Sequence, residues 1–82
     1  MIVKVTRRDI KNGHLKDEKS CPIALALRRL SFKGCKVDGY DWSFGNAEAK
    51  LPKSARNFVE AFDNGKPVKP FSFRTRNLKK VR

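Results

Sequence analysis

The sequence predicts a small α+β domain in which two helices pack on a largely antiparallel sheet of three or four strands, in the order β-α-β-β-α-β. Three observations support this class. Apolar and polar residues alternate near both ends of the chain, two segments carry the spacing of amphipathic helices, and a β-like segment separates them. The chain has 82 residues, the size of one domain. We expect a single domain over residues 1–76 and a flexible basic tail over residues 77–82.

Alternation at the amino end predicts a half-buried strand, with Val3 and Val5 facing the core. Thr6 and Asp9 have the spacing of a helix-opening cap and predict one helical turn that ends before Gly13. The polar residues that follow are expected to form a loop.

The first full helix is predicted to begin with Ser20 as its N-cap, to hold Pro22 in its first turn and to end at Gly34. Ile23 and Leu27 lie on one stripe of the helical wheel, and this stripe is expected to face the core.

Aromatic residues then occupy every second position of a β-like segment, as Tyr40, Trp42 and Phe44. Asp38 and Asp41 lie among them, and this acidic surrounding argues against a platform on which nucleic-acid bases would stack. Because the chain has few large apolar residues, we expect the three rings to lie in the core.

A turn at residues 45–46 and a short return strand over residues 47–51 are predicted next. Pro52 begins a second helix that ends at residues 64–65. Its apolar residues fall at helical spacing, as Ala55, Phe58, Val59 and Phe62. Alternation over residues 71–76 predicts a last strand at the edge of the sheet.

Both cysteines, Cys21 and Cys35, are predicted to be free. The helix between them would separate its ends by roughly 15 Å, whereas bridged Cα atoms lie within about 7 Å. Free thiols are typical of a reducing cytoplasm. No metal or other cofactor is expected. A structural zinc site uses four Cys or His ligands, and the chain has three such residues, the two cysteines and His14.

No apolar stretch is long enough for a signal peptide or a membrane span, so we expect a cytoplasmic protein that does not contact membranes. Enzyme activity is not expected either. The eight acidic residues are scattered along the chain, and the sequence contains neither a glycine-rich phosphate loop nor a nucleophile elbow.

The strongest functional signal is the positive charge, which is +12 and unevenly distributed. Residues 66–82 contain seven Lys or Arg and residues 21–36 contain four, in both cases without an acidic residue. Such segregation favours a polyanionic partner, DNA or RNA, although the charge could serve solubility alone. Phosphate contacts are expected from Lys69, Arg74, Arg76, Lys79, Lys80 and Arg82, with a second patch formed by Arg28, Arg29 and Lys33.

A protein–protein interface on the outward side of the first helix is the alternative hypothesis. Leu25 and Phe32 stack on that side of the helical wheel beside Arg28 and Arg29, and aromatic and Arg residues around an apolar spot are typical of interface anchors. The partner would be an acidic or nucleic-acid-handling bacterial protein, or a second copy of the chain in a homodimer. A loop over residues 14–19 that simply covers Leu25 would explain the same pattern.

Four segments of the chain carry a resemblance to known sequences. They are the run Cys-Pro-Ile-Ala-Leu-Ala that begins at Cys21, the run Pro-Phe-Ser-Phe that begins at Pro70, and the segments Val5–Gly13 and Ala55–Gly65. Together they resemble a type of small uncharacterised protein from tailed bacteriophages and prophages. The resemblance leaves out residues 34–50 and the basic tail. It implies expression in a bacterial cytoplasm and a role in host takeover, genome handling or countering host defence, and it brings no site residues with it.

Overall fold

Secondary structure occupies most of residues 1–80, the part of the chain that this computed structural model describes. In chain order the elements are β1 (Ile2–Val5), α1 (Arg7–Asn12), α2 (Pro22–Arg29), β2 (Lys36–Val37), β3 (Asp41–Phe44), β4 (Ala47–Lys50), α3 (Lys53–Asp63), β5 (Phe71–Arg74) and β6 (Lys79–Lys80). The α+β class is confirmed. The predicted single sheet is wrong, because residues 1–80 form two antiparallel sheets, and the predicted helical turn is a third helix, α1.

The first sheet joins the two ends of the described chain. Strands β1 and β5 pair with Val3 opposite Phe73, and the pairing continues where the Thr75 N–H donates to the Met1 carbonyl at 3.0 Å. Alternation works here as the sequence predicts, since Val3, Val5, Phe73 and Thr75 are all buried.

The second sheet has the order β2-β3-β4-β6. The expectation that three aromatic rings lie in the core is wrong for two of them. Trp42 is buried, whereas Tyr40 is 73 % exposed and Phe44 is 36 % exposed. The reason for Tyr40 is that it lies in the turn before β3 begins, outside the pleat that directs Trp42 inward.

The carboxyl end differs from the expected flexible tail. Lys79 and Lys80 form β6, which pairs with Glu48 and Ala47 of β4. Leu78 is half-buried against the core and holds this short strand in place. The remaining part of the predicted tail, including Arg82, lies outside the described residues.

Helix α1 shows the capping box that the sequence predicts. The Asp9 N–H donates to Thr6 Oγ1 at 3.2 Å, and the Thr6 N–H donates to Asp9 Oδ2 at 2.9 Å. Asp9 is buried, and its carboxylate also accepts hydrogen bonds from Nη1 and Nη2 of Arg29, at 2.8 and 2.9 Å. This bidentate pair joins α1 to the end of α2.

Helix α2 is shorter than predicted at both ends. Its N-cap is Cys21 instead of Ser20, and the Cys21 Sγ accepts the Ala24 N–H at 3.5 Å. The helix ends at Arg29, well before Gly34, because Ser31 adopts a left-handed conformation with φ of 83°.

Helix α3 and the cysteines follow the sequence prediction more closely. Ala55, Phe58 and Val59 are buried, and α3 covers the predicted span. Both cysteines are free and buried, and burial raises the pKa of Cys21 to about 11. No helix within residues 1–80 combines the length and apolar character that crossing a membrane requires.

Candidate nucleic-acid interface

A basic groove of about 670 Å³ lies between the turn before β3, the start of α3 and the end of β5. Five cationic side chains and a single carboxylate line it. We call it the basic groove, and its lining residues are Tyr40, Asp41, Lys50, Leu51, Pro52, Lys53, Arg56, Arg74 and Arg76. Lys50, Lys53 and Arg56 are close in sequence, whereas Arg74 and Arg76 come from a distant segment, so only the folded chain brings the two groups together.

Local structure explains how each cation reaches the groove. Lys50 ends β4, and Lys53 and Arg56 lie three residues apart at the start of α3, on one face of the helix. Arg74 and Arg76 alternate with buried residues, so both project outward. All five side chains belong to exposed residues.

The backbone between Arg74 and Arg76 is held from the core. The Trp42 Nε1 donates to Thr75 Oγ1 at 2.8 Å, and the Thr75 hydroxyl donates to the Arg76 carbonyl at 3.2 Å. Because Thr75 is buried and its hydroxyl is bonded on both sides, the two flanking arginines have a rigid base.

Tyr40 lines the groove on a backbone fixed by hydrogen bonds. Asp38 Oδ1 accepts the N–H groups of Tyr40 at 2.7 Å and of Asp41 at 2.8 Å. The Tyr40 carbonyl accepts the Leu51 N–H at 2.8 Å. Tyr40 is 73 % exposed. A rigid turn thus presents an accessible aromatic ring among the cations.

Asp41 is the one carboxylate among the groove's lining residues, and its pKa is raised. Burial is the main cause, followed by the hydrogen bond and negative charge of Asp38 and by the charge of Glu48. Burial also acts on Asp38, but the N–H groups of Asp41 and Tyr40 outweigh it and lower its pKa. Asp41 is therefore the member of the pair that takes up a proton first.

Two further depressions share lining residues with the groove. One, of about 660 Å³, shares Tyr40, Lys53 and Arg56 with it. The other, of about 360 Å³, shares Arg76 and leads to Lys79 and Lys80 of β6. Of the cations predicted from the carboxyl end, Arg74, Arg76, Lys79 and Lys80 thus line one connected surface.

Comparisons with family models, curated proteins and solved structures find no match to the chain. Among residues 1–80, no three His, Cys, Asp or Glu side chains come close enough to hold a metal ion.

The remaining predicted cations lie elsewhere. Lys69 is exposed between α3 and β5 and does not line the basic groove. Arg28 donates to the Lys19 carbonyl at 3.0 Å, and Lys33 is exposed in the turn after α2. Arg29 has a structural role, since it pairs with Asp9 and its guanidinium also donates to a β1 carbonyl. The predicted second patch is thus separate from the groove.

The predicted outward apolar pair on the first helix is wrong. Leu25 is half-buried, and Phe32 packs edge-to-face against Trp42 and Phe44, with ring centroids 5.0 and 5.3 Å apart. Because α2 ends at Arg29, Phe32 lies in the following turn and not on the helical wheel. The face proposed for a protein partner or a homodimer therefore lacks its exposed apolar anchors.

Sequence reasoning missed Tyr40, Lys50, Lys53 and Arg56. The second helix has no net charge over residues 52–65, and this balance conceals a polarity along the helix. Its cations lie at the amino end of α3, whereas Glu60 and Asp63 lie towards its carboxyl end. Counting charges by helical turn, and not by segment, would have revealed the cationic end.

Proposed function

We propose that the protein is a non-enzymatic nucleic-acid-binding protein that contacts phosphates through the basic groove and its extension along β6. The observation that carries this proposal is the convergence of five cations from β4, α3 and the β5 segment on one groove. Within residues 1–80, the Arg29–Asp9 pair is the one ion pair. Lys50 lies opposite Asp41 in the β3–β4 pairing, and its charge acts to lower the pKa of that carboxyl. The other four cations of the groove, Lys53, Arg56, Arg74 and Arg76, have no acidic partner in an ion pair there. Their charge is available to an anionic ligand.

The arrangement of charges on α3 supports the same conclusion. A helix dipole favours acidic residues in the first turn and basic residues in the last turn. Helix α3 has no acidic residue in its first turn, where Lys53 lies, and no basic residue in its last turn, which ends at Asp63. A charge pattern opposed to helix stability is typical of residues retained for binding.

The chemistry of the side chains suits phosphate. Arg56, Arg74 and Arg76 carry planar guanidinium groups that can donate two parallel hydrogen bonds to one phosphate. The amino end of α3 also opens on the groove, and its N–H groups and dipole add positive potential there. Contacts of this kind give affinity without reading base sequence.

The resemblance to small proteins of tailed bacteriophages implies that the protein acts in the cytoplasm of a bacterial host. Among the roles it implies, genome handling in the bacterial host requires nucleic-acid binding. Both DNA and RNA carry the phosphates that the groove would contact.

The experiment is the salt dependence of binding to nucleic acid, measured by fluorescence anisotropy. If five phosphates of a duplex are neutralised, the slope of log affinity against log salt is expected near −4.5, so a rise from 50 to 200 mM salt weakens binding roughly 500-fold. For a single strand the expected slope is about −3.5. Arg74→Ala/Arg76→Ala is expected to flatten the slope by about 1.8 for a duplex.

The matched control is Arg7→Ala/Arg8→Ala, which removes the same charge from exposed residues of α1 that do not line the groove. We expect this variant to retain most of the slope. Equal effects of the two variants, or no binding to any nucleic acid at low salt by a folded protein, would overturn the proposal.

A further inference from the structure

We infer that the nucleic acid bound is single-stranded and that Tyr40 stacks on one of its bases. This inference rests on the proposed function and adds a ligand class to it. A duplex hides the faces of its bases, whereas a single strand can present them to an aromatic side chain. Binders of single strands combine a positive groove with such rings, and Tyr40 supplies a ring within the basic groove.

The exposure of Tyr40 is the first supporting observation. The residue is 73 % exposed, more than Leu15 at 54 % and the other exposed large hydrophobic residues of the described chain. Phe44 is less exposed, and its ring is engaged in an edge-to-face contact with Phe32. Tyr40 therefore has a free aromatic face that the fold does not use.

The rigidity of the backbone at Tyr40 is the second supporting observation. Asp38 and Leu51 hold the peptide groups on both sides of the Tyr40 Cα, through bonds of 2.7 and 2.8 Å. A tyrosine side chain has only two rotatable χ angles to order, so its immobilisation on binding loses little entropy. From the sequence, the charge of Asp38 argues against a stacking platform. In the structure, its carboxylate stabilises the turn that presents the ring.

The position of Tyr40 among the cations is the third supporting observation. It lines both the basic groove and the adjoining depression, together with Lys53 and Arg56. Arg74 and Arg76 also line the basic groove. A phosphate backbone bound by these cations would bring the neighbouring base to the ring from either depression.

The test compares three probes of about 15 nucleotides with the same number of phosphates per strand: oligo(dT), an abasic strand, and a duplex. Tyr40→Ala is expected to weaken oligo(dT) binding by roughly 5- to 150-fold, the range for loss of one stacked base. Binding of the abasic strand is expected to be unchanged, because that strand has no base to stack. Tyr40→Phe, which keeps the ring, is expected to behave like the parent chain.

Salt titration separates this inference from the proposed function. Tyr40→Ala removes no charge, so its slope for oligo(dT) is expected to match that of the parent chain, in contrast to Arg74→Ala/Arg76→Ala. If the parent chain binds duplex as tightly as oligo(dT), or if Tyr40→Ala weakens all three probes equally, the inference fails while the proposed function stands. Circular dichroism checks that the variants are folded, and a folded parent chain that binds none of the probes overturns both.

Discussion

The indole Nε1 of Trp42 donates a hydrogen bond to the hydroxyl of Thr75 at 2.8 Å, and both residues are buried. Trp42 belongs to the four-stranded sheet, whereas Thr75 extends β5 of the two-stranded sheet. This bond joins the two sheets beneath the point at which Arg74 and Arg76 enter the basic groove.

Loss of this bond is expected to destabilise the fold. Thr75→Val removes the acceptor with little change in volume and leaves the Trp42 N–H unpaired in the core, which costs about 1–3 kcal/mol. Urea unfolding at neutral pH measures the difference. Thr75→Ser keeps the hydroxyl and is expected to lose less stability, so equal losses in the two variants would argue against the importance of the bond.

The carboxylate of Asp9 is expected to stabilise the fold at neutral pH and much less in acid. Burial raises its pKa, but hydrogen bonds from Arg29 and Thr6 outweigh burial, and the net pKa is lowered. Because the folded pKa lies below the unfolded value, the stabilisation is complete above the ordinary Asp pKa of 3.8 and is lost as the pH falls through the folded pKa. Asp9→Asn is therefore expected to lower the free energy of unfolding by about 2 kcal/mol at neutral pH.

Thermal unfolding between neutral and strongly acidic pH tests this dependence. Glu60→Gln is the matched control, because Glu60 is exposed and the substitution makes the same change of charge. A loss that is equal at all pH values for Asp9→Asn would show that the carboxylate charge is not responsible.

Asp41 is expected to oppose nucleic-acid binding. Its pKa is raised, and a bound polyanion favours its protonated form, so affinity is expected to increase as the pH falls towards that pKa. Asp41→Asn removes the charge and is expected to tighten binding at neutral pH by about 2- to 5-fold at low salt. Asp17→Asn, in an exposed loop that does not line the basic groove, is expected to change affinity less. Weaker binding by Asp41→Asn would contradict this role.

Lys53 is expected to favour binding at the expense of stability. Lys53→Glu places an acidic residue in the first turn of α3, where the dipole stabilises it by about 0.3–1 kcal/mol, and so raises the melting temperature. The same variant is expected to weaken nucleic-acid binding, because it reverses a charge in the basic groove. Lys11→Glu lies in the last turn of α1 and is expected to lower stability while leaving affinity largely intact. A Lys53→Glu variant that binds as tightly as the parent chain would rule out this contact.

Elements built by neighbouring residues were predictable from the sequence. The capping box of Thr6 and Asp9, helix α3 with its Gly65 end, and the alternation around Phe73 all depend on local spacing and are confirmed. The chain also contains two buried free thiols, as predicted, but not for the predicted reason, because α2 ends at Arg29 and the Cys35 Sγ lies 3.7 Å from the Ala24 carbonyl in the first turn of that helix.

Features that depend on distant residues were not predictable. Division into two sheets follows from pairing of β1 with β5 and of β4 with β6, and no local pattern encodes either partner. The basic groove has the same origin, since Arg76 meets Lys50 and Lys53 only after this pairing. The prediction that Tyr40 lies in the core is wrong because alternation indicates which face of a strand a residue occupies but does not show where the strand begins.

The antiparallel pairing of Ile2 with Arg74 has a consequence for biosynthesis. Strand β1 is synthesised before β5, so all the segments between the two must emerge from the ribosome before the two-stranded sheet can form. Until then Arg74 and Arg76 have no fixed place beside α3. Until β5 emerges, a growing chain therefore has no assembled basic groove to present to the surrounding ribosomal RNA.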